Sequence, residues 1–181
     1  MSSATACPPA PDSSSSPAPE RLRGLALCLS GGGYRALVFH LGALRRLNET
    51  GVLAKVDTYS ATSGGSFIAA HLATLVARGV VGPAALPPEA WDELVEDPLF
   101  ALARVDLQSG FHGLRHLAGS LFHRQARAEA LARRLEELLT PLKLHELPAT
   151  PRFVFCANDF LRSVPWLFER DRIGDRQLGW G

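Results

Sequence analysis

Two short glycine clusters, about thirty residues apart and each directly behind a β-like run, constrain the fold of this chain more than any other feature. The first is Ser30-Gly31-Gly32-Gly33-Tyr34-Arg35, after Leu25-Ala26-Leu27-Cys28-Leu29. The second is Ala61-Thr62-Ser63-Gly64-Gly65-Ser66, after Val56-Asp57-Thr58-Tyr59-Ser60. A strand that ends in a tight glycine turn and opens a helix exposes backbone N–H groups, and in the second cluster a side-chain oxygen as well. Leu37, Leu41, Leu44 and Leu47 recur at helical spacing and predict a helix over about 34–49, with Gly51 at the C-cap position. A second helix is predicted from about 64 to 78, stopped by Gly79. Strand, helix, strand, helix is the pattern of a parallel sheet with right-handed crossovers, and so of an α/β fold.

The remainder divides into three parts. Residues 1–20 are rich in Ser, Pro and Ala and lack the apolar surface that offsets the entropy of ordering, so they are expected to be a disordered tail. Residues 21–181 are long enough for one domain with a real core and hardly for two. Within them, 79–150 reads as a helical insert, with helix-like pieces near 89–104, 112–122 and 124–139 and no convincing strand. A third strand, Arg152 to Cys156, returns the chain to the sheet, and 164–181 reads as a short hairpin with Ile173-Gly174-Asp175 near its turn. Three firm strands make a small sheet with uncovered edges. The expectation is a sheet finished by a partner or by chain beyond Gly181.

Bulk properties narrow the function classes. A net charge of +1 gives no steering toward nucleic acid, so no nucleic-acid partner is expected. Cys7, Cys28 and Cys156 are odd in number and lack metal-ligand spacing, which argues against a disulfide framework or a zinc site and for a reducing cytoplasm. The apolar run Phe67 to Ala77 contains His71 and is too short to cross a bilayer, so any membrane contact would be peripheral. No metal or organic cofactor is implied.

The chemistry rests on the two turns. Gly31, Gly32 and Gly33 allow backbone N–H groups to approach an anion with no Cβ in the way, and the helix behind them aims its positive end at the same point. A plain tight turn is the simpler alternative. A dinucleotide fingerprint, Gly31-x-Gly33-x-x-Ala36, is a sharper one, but the second strand ends in Ser60, Ala61 and Thr62 rather than in the acid that holds a ribose. Ala61-x-Ser63-x-Gly65 is the nucleophile-elbow pattern with alanine for the first glycine; small residues are needed there because the strained turn brings strand and helix close. The alternative for Ser63 is a helix N-cap. Taken together, an amide cluster after one strand and an exposed serine after the next suggest acyl transfer.

This pairing resembles the patatin-like phospholipase family, which joins a Gly-Gly-Gly-x-Arg/Lys loop to a Gly-x-Ser-x-Gly elbow about thirty residues later. The resemblance covers the chain from about residue 24 to its end. It implies a three-layer α/β/α fold around a mostly parallel sheet, with 79–150 as a cap. It implies Ser63 as nucleophile, the Gly31, Gly32 and Gly33 amides as oxyanion hole, Arg35 shaping that loop, and Ala61, Gly64 and Gly65 supporting the elbow. The implied substrate is a lipid ester or phospholipid. The family's base is an aspartate in an Asp-Gly-Gly/Ala motif, and no aspartate here is followed by glycine. That aspartate is expected beyond the chain end, which would leave this chain alone inactive. None of His40, His71, His112, His116, His123 and His145 takes a role. The competing readings are a non-catalytic lipid- or anion-binding remnant of the same fold and, third, a nucleotide-binding module.

Overall fold

Each glycine cluster does terminate a strand. In the computed structural model, which describes residues 24–82, 85–105, 129, 132–133, 135–159, 163–175 and 179–181, β1 is Leu25–Leu29 and β2 is Val56–Thr62. Helix α1 (Gly33–Glu49) follows β1, and α2 (Gly64–Ala77) follows β2. Next come α3 (Pro88–Trp91), one π-helical turn over Asp92–Glu96, and α4 (Asp97–Arg104). The chain then returns as β3 (Arg152–Asp159), β4 (Val164–Phe168), β5 (Ile173–Asp175) and β6 (Gly179–Trp180).

The six strands form one sheet in sequence order. β1, β2 and β3 pair in parallel, because the connections between them carry helices long enough to cross back over the sheet. From β3 onward the links are too short for a crossover, and β3–β4, β4–β5 and β5–β6 pair antiparallel. The parallel character expected from the sequence therefore belongs to the N-terminal half, where both glycine turns lie.

Alternation along the strands decides which face is covered. Leu29, Tyr59, Ala61 and Phe153 are buried in the same core as Leu37, Leu41 and Leu44 of α1, Ile68, Leu72 and Ala73 of α2, and Trp91, Val95, Leu99 and Leu102 of the α3–α4 segment. Tyr59 and Phe153, neighbours across β2 and β3, stack with ring centroids 5.0 Å apart. Burying a side chain such as Leu37 or Ile68 contributes about 1.5–3 kcal/mol, which is what holds both crossover helices against the sheet. Ala26, Cys28 and Thr62 alternate with these residues and are exposed. Of the three expected layers, the described residues supply the sheet and one helical layer.

Within the insert, 88–104 is helical and 144–146 forms a short 3₁₀ turn, while 79–82, 85–87, 139–143 and 147–150 lie outside any helix. The predicted helix at 89–104 is present, broken by the π turn, and His71 of α2 donates from Nε2 to the Leu94 carbonyl within that turn at 2.7 Å. Burial of the ring holds the His71 pKa below its ordinary value. The piece at 112–122 and the tail 1–20 lie outside the described residues, as does half of 124–139, whose described residues 129, 132–133 and 135–138 are helical. The C-terminal hairpin is present, with one correction. Its turn is the segment 169–172, closed by the Glu169 N–H to the Arg172 carbonyl at 3.0 Å, and Ile173-Gly174-Asp175 is a strand. Gly174 signals a close approach rather than a turn, because a Cβ there would lie 3.0 Å from the Trp180 Cα of β6.

Candidate active site

β1 and β2 are adjacent and parallel, with Leu29 opposite Ala61, so the two glycine turns leave the sheet side by side at one edge. Parallel α/β sheets bind ligands outside this carboxyl edge. The N-termini of α1 and α2 start there too, and neither first turn carries an acidic residue. Two positive helix ends without a local carboxylate favour an anion at this point.

The backbone at Ser63 is strained. It has φ 50° and ψ −122°, and Ser63 and Ser163 are the non-glycine residues with positive φ among those described. Such a conformation costs about 1–3 kcal/mol and persists only where the surroundings enforce it. Here the enforcement is close packing of the two strand ends. A Cβ on Gly65 would lie 2.7 Å from the Leu29 carbonyl carbon, and one on Gly64 would lie 3.0 Å from that of Gly33. Ala61, at 2% exposure, leaves β2 the same tight fit from below. The strain turns the Ser63 hydroxyl out of the helix. It makes no capping hydrogen bond to α2, whose first turn is closed by the Ser66 N–H to the Ser63 carbonyl at 2.9 Å. The N-cap alternative for this serine thus has no hydrogen bond behind it.

The glycine loop lies against that hydroxyl. The Cβ direction of Gly31 ends 3.0 Å from the Ser63 Cβ and 3.6 Å from its Oγ. Gly32 and Gly33 have φ 142° and 61°, values that side-chain-bearing residues rarely adopt. All three glycines and Ser63 are exposed, while Gly64 and Gly65 beneath them are buried. The site is an exposed sheet edge where Gly31 adjoins the Ser63 side chain, and Arg35 is exposed on the first turn of α1.

Two anchors of this edge were not foreseen from the sequence. The Tyr34 hydroxyl donates to the Val105 carbonyl at 2.6 Å, tying the end of α4 to the start of α1. Seventy-one positions separate the partners, and no local pattern links them. His40 is buried on α1, and its Nε2 lies 3.0 Å from the Ser30 carbonyl oxygen and 3.2 Å from the Ser30 Oγ. A carbonyl only accepts, so Nε2 carries the proton and is not a base toward Ser63. His71 is held at Leu94.

The aspartates are scattered. Asp57 accepts the Leu25 N–H at 2.8 Å at the opposite end of the sheet, far from where a ribose-binding acid belongs. Asp159 ends β3 at the same edge as Ser63, and Asp175 is buried in β5. Among the described residues no group of His, Cys, Asp and Glu is arranged to hold a metal ion, and no helix is long and apolar enough to cross a membrane. A cavity of about 330 Å³ lies at the start of β2 and β3, lined by Val56, Asp57, Thr150 and Pro151. It is at the other end of the sheet from Ser63 and takes no part in this site.

A search of curated proteins found no match. Among solved structures, human GIVD cytosolic phospholipase A2 in complex with methyl gamma-linolenyl fluorophosphonate aligns with a TM-score of 0.52 and 23% identity, covering 87% of this chain and 24% of that one. The same enzyme with that inhibitor and terbium chloride aligns with a TM-score of 0.51 and 23% identity, over 87% and 25%. The likeness is one of fold, and this chain spans about a quarter of the length of those structures. The family model for patatin-like phospholipases matches residues 27–176, from within β1 through both glycine turns to the end of β5. The chain belongs to the patatin-like phospholipase family.

Proposed function

We propose that this chain carries the nucleophile and the oxyanion hole of a lipid acyl hydrolase, with Ser63 as nucleophile and the Gly31, Gly32 and Gly33 amides as the hole. The observation that carries the reading is the strained Ser63 turn, whose uncapped hydroxyl lies against the glycine loop. Ser63 Oγ bonds to the ester carbonyl carbon as its proton passes to a base. The carbonyl oxygen becomes an oxyanion and accepts hydrogen bonds from the loop amides. Collapse expels the alcohol, which takes up the proton, and water then releases the fatty acid from the acyl-enzyme by the same route. Ala61, Gly64 and Gly65 keep the elbow tight, and Arg35 shapes the loop. The substrate is a lipid ester or phospholipid, met by peripheral contact with a membrane from the cytoplasmic side. No cofactor and no nucleic acid take part.

One observation favours a second reading. No aspartate in the sequence is followed by glycine, so the family's Asp-Gly-Gly/Ala base is not supplied by motif. Without a base, the same edge would bind a lipid or anion without turning it over. Labelling by an alkyl fluorophosphonate separates the two. Labelling of the full chain that disappears in Ser63→Ala supports the hydrolase. Labelling unchanged by Ser63→Ala overturns the nucleophile, and vesicle binding without any labelling selects the binding remnant.

A further inference from the structure

We propose that His40 is a positioning residue, holding the Ser30–Gly31 peptide so that the Gly31 amide keeps its aim at the oxyanion. The proposal rests on the assignment of Gly31–Gly33 as the oxyanion loop.

The loop cannot hold itself. Three consecutive glycines have the widest backbone freedom a chain offers, and α1 receives no side-chain cap at Gly32. Amides that stabilise a developing charge must be oriented before the reaction, or their reorientation is added to the barrier. Something rigid has to fix this segment from outside. His40 is such a post. It sits on α1, which Leu37, Leu41 and Leu44, each at 1% exposure or less, lock into the core, and it is itself only 7% exposed.

The bond it makes has a directional consequence. His40 Nε2 donates to the Ser30 carbonyl at 3.0 Å, with the Ser30 Oγ sharing the proton at 3.2 Å. A trans peptide is planar, so a carbonyl and the N–H of the next residue point in opposite directions. Fixing the Ser30 C=O toward His40 therefore turns the Gly31 N–H away from it, in the residue whose Cβ direction ends 3.0 Å from Ser63. A buried imidazole needs a partner in any case. A role in packing alone would be met by any acceptor, but this acceptor is the carbonyl that opens the loop.

The test is the rate of Ser63 labelling by an alkyl fluorophosphonate in the full chain, resolved into kinact and KI. His40→Met keeps the volume and removes the donor; His40→Gln sets an amide N–H near the position of Nε2. Loss of one oxyanion donor costs about 10²–10³-fold, so a mis-aimed one in His40→Met is expected to lower kinact about 10–100-fold with KI unchanged. His40→Gln should recover most of that loss. Equal loss in both variants, or loss in neither, overturns the proposal. Should His40→Met fail to fold, the imidazole ¹⁵N shifts of the unmodified chain decide: a proton on Nε2 is required, and the Nδ1–H tautomer with bare Nε2 refutes it. Labelling that survives Ser63→Ala would instead sink the nucleophile assignment, while the ¹⁵N measurement still reports on His40.

Discussion

Gly65 and Gly42 both lie in helices, and replacing each with alanine should move stability in opposite directions. In an exposed helix interior alanine is favoured over glycine by about 0.8–1 kcal/mol, because it loses less backbone entropy on folding. Gly42, in α1, is exposed, and a Cβ there meets nothing within 4 Å. Gly42→Ala should therefore stabilise by close to the full propensity gain. At Gly65 the same Cβ would sit 2.7 Å from the Leu29 carbonyl carbon, 2.8 Å from the Leu29 Cβ, and closer still to the Leu29 carbonyl oxygen. These are atoms of β1 itself, and no flexible side chain can swing aside. The start of α2 has to move off the sheet by several tenths of an ångström to bring the contact back beyond 3.0 Å. Overpacking of this kind costs about 1–3 kcal/mol, which meets or exceeds the propensity gain. The strained Ser63 turn stands directly on the displaced segment, so the hydroxyl moves with it. Misplacement of a reacting group by about 1 Å costs on the order of 10²-fold in rate. Urea denaturation of both variants, with fluorophosphonate labelling of Ser63, is the assay. The expected result is Gly42→Ala above wild type with normal labelling, and Gly65→Ala below wild type with labelling slowed more than stability explains. Gly65→Ala matching Gly42→Ala in both measurements would refute the packing account of the elbow.

Three further outcomes follow from the same geometry. Ser63→Gly should be more stable than Ser63→Ala by about 1 kcal/mol, because glycine accepts φ 50° and ψ −122° without strain, and denaturation showing alanine ahead would mean that the turn is relaxed. Gly32→Val should slow Ser63 labelling by at least about 10²-fold, since a β-branched residue at φ 142° can neither keep the loop geometry nor leave the Ala36 side chain undisturbed; labelling at the wild-type rate would separate this loop from the chemistry. Burial holds the His71 pKa below 6.5, so between the folded and unfolded values the unfolded state binds more protons, and stability should fall as pH drops below about 6.5. His71→Gln, which keeps a donor for the Leu94 carbonyl, should flatten that part of the profile in denaturation midpoints taken from pH 7 to 5.

The strand–turn–helix units were legible because their signals are local. A run such as Leu25–Leu29 ending in three glycines has few other conformations open to it, and the leucine spacing of α1 states which face is buried. The elbow was legible for the same reason, since the small residues at 61, 64 and 65 are required by the turn on which Ser63 sits. Where a residue's meaning depended on distant chain, the sequence was mute. Gly174 reads only as a residue near the hairpin turn until β6 lies against it, and β3 runs on to Asp159 because β4 folds back and pairs with its end.

What the sequence alone determined is the order of elements, the class of fold and the pair of turns that carry the candidate chemistry, since all of these follow from hydrophobic period and glycine conformation within a few residues. Tertiary structure decided the rest. Parallel pairing of β1 with β2 sets Gly31 against Ser63, and close packing on Leu29 and Gly33 strains Ser63 and leaves its hydroxyl uncapped. The fold of α1 back over the loop gives the buried His40 the Ser30 carbonyl as its acceptor. Each depends on two segments meeting, and contact between segments is a property of the folded chain that no local pattern encodes.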